Sequence, residues 1–140
     1  MSESINGVLR KEVRLPNRWL CWRWLLVLAY AGSVFVVSAM PGNALPHVRV
    51  SDKLLHTLEF GGLAVLLCRA LVMQMPGRSR HSILLMSLVA AVCYGALDEM
   101  HQLFVPQRMS DVTDFVADSF GALLGGWGWL RVSTRWPWLQ

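Results

Sequence analysis

Residues 82–104 read SILLMSLVAAVCYGALDEMHQLF. The run is almost entirely apolar up to Leu97, and it then carries two acids, a histidine and a glutamine. A helix this apolar is unusual in a small soluble domain. Burying polar groups at its end costs free energy unless they have hydrogen-bond or charge partners. The stretch therefore predicts a membrane helix with a polar end, and it is the centre around which the rest of the chain is organised.

Composition supports a membrane protein. The chain has 140 residues, enough for one domain, with 54% hydrophobic and 16% charged residues. Ordinary soluble domains have roughly 45–50% and 25%. The mean hydropathy is +0.42. The basic residues flank the apolar runs instead of mixing with a soluble pattern, so the net charge of +4 does not indicate nucleic-acid binding. The three cysteines show no disulfide or metal-binding spacing.

Four apolar runs predict an all-α, integral membrane bundle of four transmembrane helices. The membrane domain covers residues 19–130, with helices at about 19–40, 53–73, 82–104 and 111–130, between a basic tail at 1–18 and a second tail at 131–140. Ser110 is the expected cap of the fourth helix. A cleaved signal peptide is the alternative for the first run, because Val37-Ser38-Ala39 resembles a cleavage site. The run is long enough to span a bilayer, which favours a retained span.

Positive charge sets the predicted orientation. Of the 13 Lys and Arg residues, only Arg49, Lys53 and Arg108 lie on the side opposite the two termini. Cytoplasmic segments carry the excess of basic residues. We therefore predict that both termini are cytoplasmic, in a multi-pass protein of the plasma (inner) membrane.

The acids follow the opposite distribution. Seven of the nine fall in the outer half, at the start of helix two, the end of helix three and the start of helix four. An acid at mid-membrane costs about 3 kcal/mol, so these side chains should face each other or water. Gly121 and Gly125 should let another helix approach closely below them. The sequence thus predicts a polar cup that opens outward.

Helical spacing selects the residues of the cup. At about 100° per residue, the polar residues of each helix share one face, and Glu99 alone lies about a quarter turn off. The predicted binding residues are Asp52, His56, Glu59, Tyr94, Asp98, His101, Gln102, Arg108, Asp114 and Asp118. The alternative is structural: Asp52, Asp111 and Asp114 would cap helices, and the deeper groups would only fix the helix register. Arg108 is expected to pair with one of the acids.

Three motifs in order resemble the VanZ-like family across about residues 24–130. They are DKLLHTLEF at 52–60, LDEMHQLFVPQR at 97–108 and DVTDFVADSFG at 111–121. Asp118 stands where many members carry Asn, and Glu59 where a neutral residue is common. The resemblance implies a small integral membrane protein of the cell envelope. The family's namesake is associated with resistance to the glycopeptide teicoplanin.

The resemblance and the cup leave several functions open. The cup would bind a glycopeptide or a lipid-linked envelope precursor, with the lipid bilayer as the other partner and no nucleic acid. Alternatively, His56, Asp98 and His101 would serve an intramembrane hydrolase or transferase as acid and base. The sequence does not decide whether the protein is an enzyme. A cation or proton path is disfavoured, because no ionisable chain crosses the inner half.

Two pairs of residues bear on metal binding. The pairs His56-x-x-Glu59 and Asp98-x-x-His101 have the spacing of carboxylate-bridged metal bundles, which would make such an enzyme metal-assisted. Any acid-rich cluster produces such pairs, however. The sequence therefore predicts no metal and no cofactor.

Overall fold

The computed structural model describes residues 17–44 and 51–135, with side chains from Cys21 onward. Most of the predicted tail at 1–18 and the end of the tail at 131–140 lie outside the described residues. The described part is all-helical, as predicted. Its elements are α1 (Asn17–Ser38), a short 3-10 turn (Gly42–Ala44), α2 (Asp52–Gln74), α3 (Arg80–Gln102) and α4 (Val112–Arg135).

The helix ends differ from the prediction for local reasons. α3 begins earlier because Ser79 is its N-cap, where the side chain accepts a hydrogen bond from the Ser82 backbone N–H at 3.1 Å. α4 continues beyond residue 130 because its buried face continues through Ser133. That extension occupies the first half of the predicted C-terminal tail.

Three of the described helices are long and apolar enough to cross a membrane: Cys21–Ser38, Asp52–Gln74 and Arg80–Gln102. α4 lies outside this set, since it carries buried acids on one face. Its other face nevertheless presents an exposed apolar stripe of Val116, Phe120, Leu123, Leu124 and Trp127. The structure supports an integral membrane protein, and the fourth crossing stays a prediction.

α2 and α4 form the most extensive helix pair, and α3 packs against both. α2 and α4 run parallel: Lys53 contacts Asp114 near the start of both helices, and Thr57 contacts Ala117 about one turn further along both. The main apolar core lies among Phe60, Leu63, Ala64, Leu67, Ala91 and Ala122, with contributions from α1.

Glycines bring α2 and α4 into backbone contact. A Cβ on Gly121 would overlap the Thr57 carbonyl oxygen, and one on Gly125 would overlap the Gly61 carbonyl oxygen. We call Gly61, Gly121 and Gly125 the glycine crossing. The predicted close approach of a neighbouring helix at Gly121 and Gly125 is confirmed.

α1 packs against α2 and α3, and polar contacts join it to both. The Tyr30 hydroxyl donates to the Glu59 carbonyl at 3.0 Å, and the Tyr94 hydroxyl donates to the Ala31 carbonyl at 2.6 Å. Val27 and Val34 are buried against the core. α1 is therefore part of the described bundle, and its retention as a span stays a prediction.

Candidate functional site

Polar side chains are buried at one end of the bundle, which we call the polar end. It is formed by the first turns of α2, the last turns of α3 and the first turns of α4. Its buried polar side chains are His56, Asp98, Glu99, Gln102, Asp114 and Asp118. Leu58, Leu97, Met100 and Val116 are exposed on the outside of the same region. Polar groups inside and apolar groups outside are the distribution expected of a protein surrounded by lipid.

A histidine and an aspartate join α2 to α4. His56 Nδ1 lies 2.9 Å from Asp118 Oδ1, and Asp118 is completely buried. An ionised carboxylate can only accept, so Nδ1–H donates and Nε2 of a neutral ring keeps its lone pair. Nε2 has no hydrogen-bond partner among the described residues. An imidazole fixed through one nitrogen is oriented for proton transfer or metal binding through the other.

Glu99 also belongs to this group, although the helical spacing excluded it. Its Oε2 accepts hydrogen bonds from Ser110 Oγ at 2.9 Å and from the Asp111 backbone N–H at 2.8 Å. One carboxylate oxygen of Glu99, one of Asp118 and a ring nitrogen of His56 lie within 4.8 Å of one another. Glu99 therefore joins the end of α3 to the start of α4 and contributes to the buried cluster.

The buried face of α3 is rotated relative to the predicted one: it keeps Asp98 and Gln102 and includes Glu99. That face runs through Ala91, Gly95, Asp98, Glu99 and Gln102 at helical intervals. Gly95 and Ala91, one and two turns before Asp98, indicate this face in the sequence, because small residues mark the side on which another helix approaches closely.

Tyr94 and His101 lie on the flank of α3 that faces α1. Tyr94 bonds the Ala31 carbonyl, and the His101 ring stacks on Phe35 with centroids 4.6 Å apart. The prediction that both residues share the face of Asp98 toward the other polar helices is wrong in this respect. Their positions are set by contacts with α1, which the spacing of residues along α3 does not indicate.

Several buried oxygens at the polar end have no hydrogen-bond partner within the described part of the chain. They are Asp98 Oδ1, Glu99 Oε1 and Asp118 Oδ2. The other oxygen of Asp98 accepts from Gln102 Nε2 at 3.0 Å. Buried polar groups are nearly always paired, so three unpaired carboxylate oxygens point to a further group that they bind.

Lys53 closes the rim above this cluster. Its Nζ lies 3.1 Å from Asp114 Oδ1 and 3.3 Å from Asp111 Oδ2. Asp111 caps α4, because its Oδ1 accepts the Thr113 backbone N–H at 2.8 Å. That hydrogen bond, with Lys53 nearby, holds the pKa of Asp111 below its ordinary value. The prediction that Ser110 caps α4 is wrong, because the Ser110 hydroxyl donates its hydrogen bond to Glu99.

Three predicted site residues lie elsewhere or at the margin. Arg108 donates to the carbonyl oxygens of Val37 and Met40, at 3.3 and 3.4 Å. Its expected pairing with an acid is wrong, because the loop before α4 places it against the carbonyls at the C-terminal end of α1. Asp52 is exposed at the start of α2, and half-buried Glu59 makes no side-chain hydrogen bond within the described residues.

The arrangement permits two kinds of chemistry. The oriented His56 can accept or donate a proton through Nε2. The carboxylate oxygens can accept hydrogen bonds or hold a cation. Within the described residues, Asp118 is the sole hydrogen-bond partner of the His56 ring, so no serine or cysteine nucleophile is in place beside it.

Comparison with known proteins gives a family. No curated protein and no solved structure matches the chain. The family model described as VanZ/LLP1 matches residues 13–133, which include all four helices of the bundle up to the last turn of α4. The three motifs and the polar end all lie inside this match. The chain therefore belongs to the VanZ/LLP1 family.

Proposed function

We propose that this protein is a plasma-membrane protein of the cell envelope whose polar end faces outward and engages a ligand there. The ligand would be a glycopeptide of the teicoplanin type or a lipid-linked envelope precursor. The observation that carries the proposal is the set of unpaired buried oxygens of Asp98, Glu99 and Asp118.

The proposed topology has four crossings with both termini cytoplasmic. At the end of the described bundle opposite the polar end, the chain carries Arg23, Arg69, Arg78, Arg80, Arg131 and Arg135. The polar end carries Lys53 and Arg108, and both are engaged by partners there. By the positive-inside rule, this distribution of charge supports an outward-facing polar end. The exposed apolar stripe of α4 and its parallel pairing with α2 support the fourth crossing.

The acids also restrict which part of a ligand is engaged. Carboxylate oxygens accept hydrogen bonds, so they suit hydroxyl, amide N–H and ammonium groups. A phosphate would be repelled by them unless a cation accompanied it. Both proposed ligand classes present sugar hydroxyls and peptide N–H groups, which match the acceptors at the polar end.

Drug susceptibility tests the proposal directly. We expect cells that produce the protein to be less susceptible to teicoplanin than cells without it. The Glu99→Gln variant, expressed to the same membrane level, should lose this protection, and Glu59→Gln should keep it. No difference between cells with and without the protein would overturn the resistance proposal.

The topology has its own test. Reporter fusions at Pro46 and Gln107 should report the outside, and fusions at Gly77 and Gln140 the inside. An inside signal at Gln107 would remove the outward-facing site on which the ligand proposal depends.

A second candidate function is an intramembrane hydrolase or transferase, which the buried His56–Asp118 hydrogen bond favours. The acid–base pair would then be His56 with Asp118, in place of the predicted set of His56, Asp98 and His101. The His56→Gln variant distinguishes the cases when extracted lipid-linked precursors are measured. An enzyme would lose precursor turnover at unchanged protein level. Unchanged turnover at full protein level would reject the enzyme.

A further inference from the structure

We propose that His56, Glu99 and Asp118 form a binding site for one divalent metal ion. The sequence predicted no metal, and its candidate pairs were different ones. The structure brings together three residues from three helices whose ligand atoms lie within 4.8 Å of one another. The ion would take the unpaired oxygens of Glu99 and Asp118, so a ligand at the polar end would contact the ion and Asp98 instead of those two oxygens. The site goes beyond the proposed envelope function, because its ion can be measured when no such ligand is present.

Unpaired oxygens independently indicate a bound group. Glu99 Oε1 and Asp118 Oδ2 are buried and have no hydrogen-bond partner among the described residues. Glu99 is 7% exposed and Asp118 is 0% exposed. A second carboxylate oxygen on each residue is already bonded, to Ser110 and Asp111 in one case and to His56 in the other. Each carboxylate is therefore held in place by one oxygen and leaves the other for a ligand.

Charge balance favours a divalent ion. Burying isolated carboxylates is costly unless a cation neutralises them. Lys53 serves Asp111 and Asp114 at the rim, so it does not serve Glu99 or Asp118. Two carboxylates and a neutral imidazole would be neutralised by one ion of charge +2.

The ligand set indicates the class of metal. One imidazole nitrogen with two carboxylate oxygens is a mixed set that suits Zn²⁺ or Mn²⁺, whereas Ca²⁺ takes oxygen ligands only. Three protein ligands leave coordination positions open for water or for an oxygen of a bound molecule. A phosphate or hydroxyl of a ligand at the polar end could then be bound through the metal.

A second group shares His56 and competes with this assignment. Asp52, His56 and Asp114 also bring ligand atoms within 4.8 Å of one another. Asp52 is exposed, however, and Asp114 already pairs with Lys53. We call His56, Glu99 and Asp118 the inner group. It is favoured because Glu99 and Asp118 each keep one buried oxygen without a hydrogen-bond partner among the described residues.

Metal binding by the purified full chain tests the proposal. The protein is prepared in detergent with a tag free of histidine, stripped with a chelator and titrated with Mn²⁺, while free Mn²⁺ is followed by electron paramagnetic resonance. A parallel sample is loaded with Zn²⁺ and analysed for bound metal after dialysis. We expect one ion per chain. Glu99→Gln and Asp118→Asn should each weaken binding by about 100-fold or more, because each removes a proposed ligand and loss of an outer-shell partner alone costs about 10–100-fold.

Two control variants locate the ion. Glu59→Gln removes a half-buried acid that lies one turn from His56 and is not a proposed ligand. Asp52→Asn removes a ligand of the competing group of Asp52, His56 and Asp114. Neither variant should change the affinity for the metal ion. Glu99→Gln keeps an acceptor for Ser110 and Asp111, so it decides the question even if Asp118→Asn fails to fold. The proposal is overturned if the wild-type chain binds no stoichiometric metal, or if a control weakens binding as much as Glu99→Gln does.

Discussion

The contact between α2 and α4 has two regions that are held together in opposite ways. At the glycine crossing, backbone lies directly against backbone, because Gly121 and Gly125 have no side chain to separate the helices. One turn towards the polar end, the same two helices are joined by the His56–Asp118 hydrogen bond. The first region depends on the absence of side chains, and the second on a specific pair of them.

The comparison shows how a bundle of this size can keep polar groups buried. The close approach at Gly121 fixes the separation of the helices next to Asp118, so the 2.9 Å distance to His56 is set by packing as well as by attraction. Small-residue contacts are a main source of association between membrane helices. The glycine crossing therefore provides the rigid base, and the polar end depends on it.

The largest expected effect comes from a methyl group at the glycine crossing. Gly121→Ala places a Cβ on the Thr57 carbonyl oxygen, which is backbone and cannot rotate away. We expect a loss of about 3 kcal/mol in the free energy of unfolding, at the upper end of overpacking costs. The measurement is unfolding by SDS titration in mixed micelles.

Gly128→Ala is the matched control, since a Cβ at Gly128 of the same helix meets nothing within 4 Å. It should leave the free energy of unfolding unchanged or raise it slightly, because alanine favours the helix. Equal losses for the two variants would mean that the close approach at Gly121 does not stabilise the bundle.

A smaller loss is expected from the polar end. Asp118→Ala removes the acceptor of His56 Nδ1 and leaves that nitrogen buried without a partner. We expect a loss of about 2 kcal/mol in the free energy of unfolding, the usual cost of an unsatisfied buried group. The same titration, in the presence of a chelator, measures it without a contribution from bound metal.

Glu59→Ala is the comparison for this variant. Glu59 is half-buried and its side chain makes no hydrogen bond within the described residues, so a change within about 0.5 kcal/mol is expected. A loss as large as that of Asp118→Ala would show that burial of acids in general, rather than the pair with His56, governs stability at the polar end.

The sequence predicted the glycine crossing better than the polar end. The number of helices and the shared face of Gly121 and Gly125 follow from periodicity along a single chain segment. The contacts of Glu99, His101 and Arg108 do not follow from periodicity. Periodicity gives the angle between residues on one helix, but the rotation of that helix is fixed by its neighbours.

Two contacts illustrate the limit. α1 takes one flank of α3 through the stacking of Phe35 on His101, so His101 is turned away from the cluster around Asp118. Arg108 finds the carbonyls at the end of α1, 68 and 71 positions earlier in the chain. The sequence motif that contains His101 and Arg108 does not indicate either of these contacts with α1.

The smallest expected effect lies at the rim, and it depends on pH. Asp111 accepts the Thr113 N–H and lies beside Lys53, so its pKa in the folded protein is below the ordinary value. A depressed folded-state pKa contributes stability above the unfolded-state pKa, near about 3.9, and that contribution is lost as pH falls through the folded-state pKa.

Asp111→Asn keeps a capping oxygen but removes the charge. Thermal unfolding of both proteins from about pH 6 to about pH 3 should show a wild-type advantage that shrinks with acidification. An advantage that stays constant with pH would mean that the two side chains differ in hydrogen-bond geometry and that ionisation of Asp111 does not stabilise the fold. The rim would then resemble the glycine crossing, where geometry alone holds the helices.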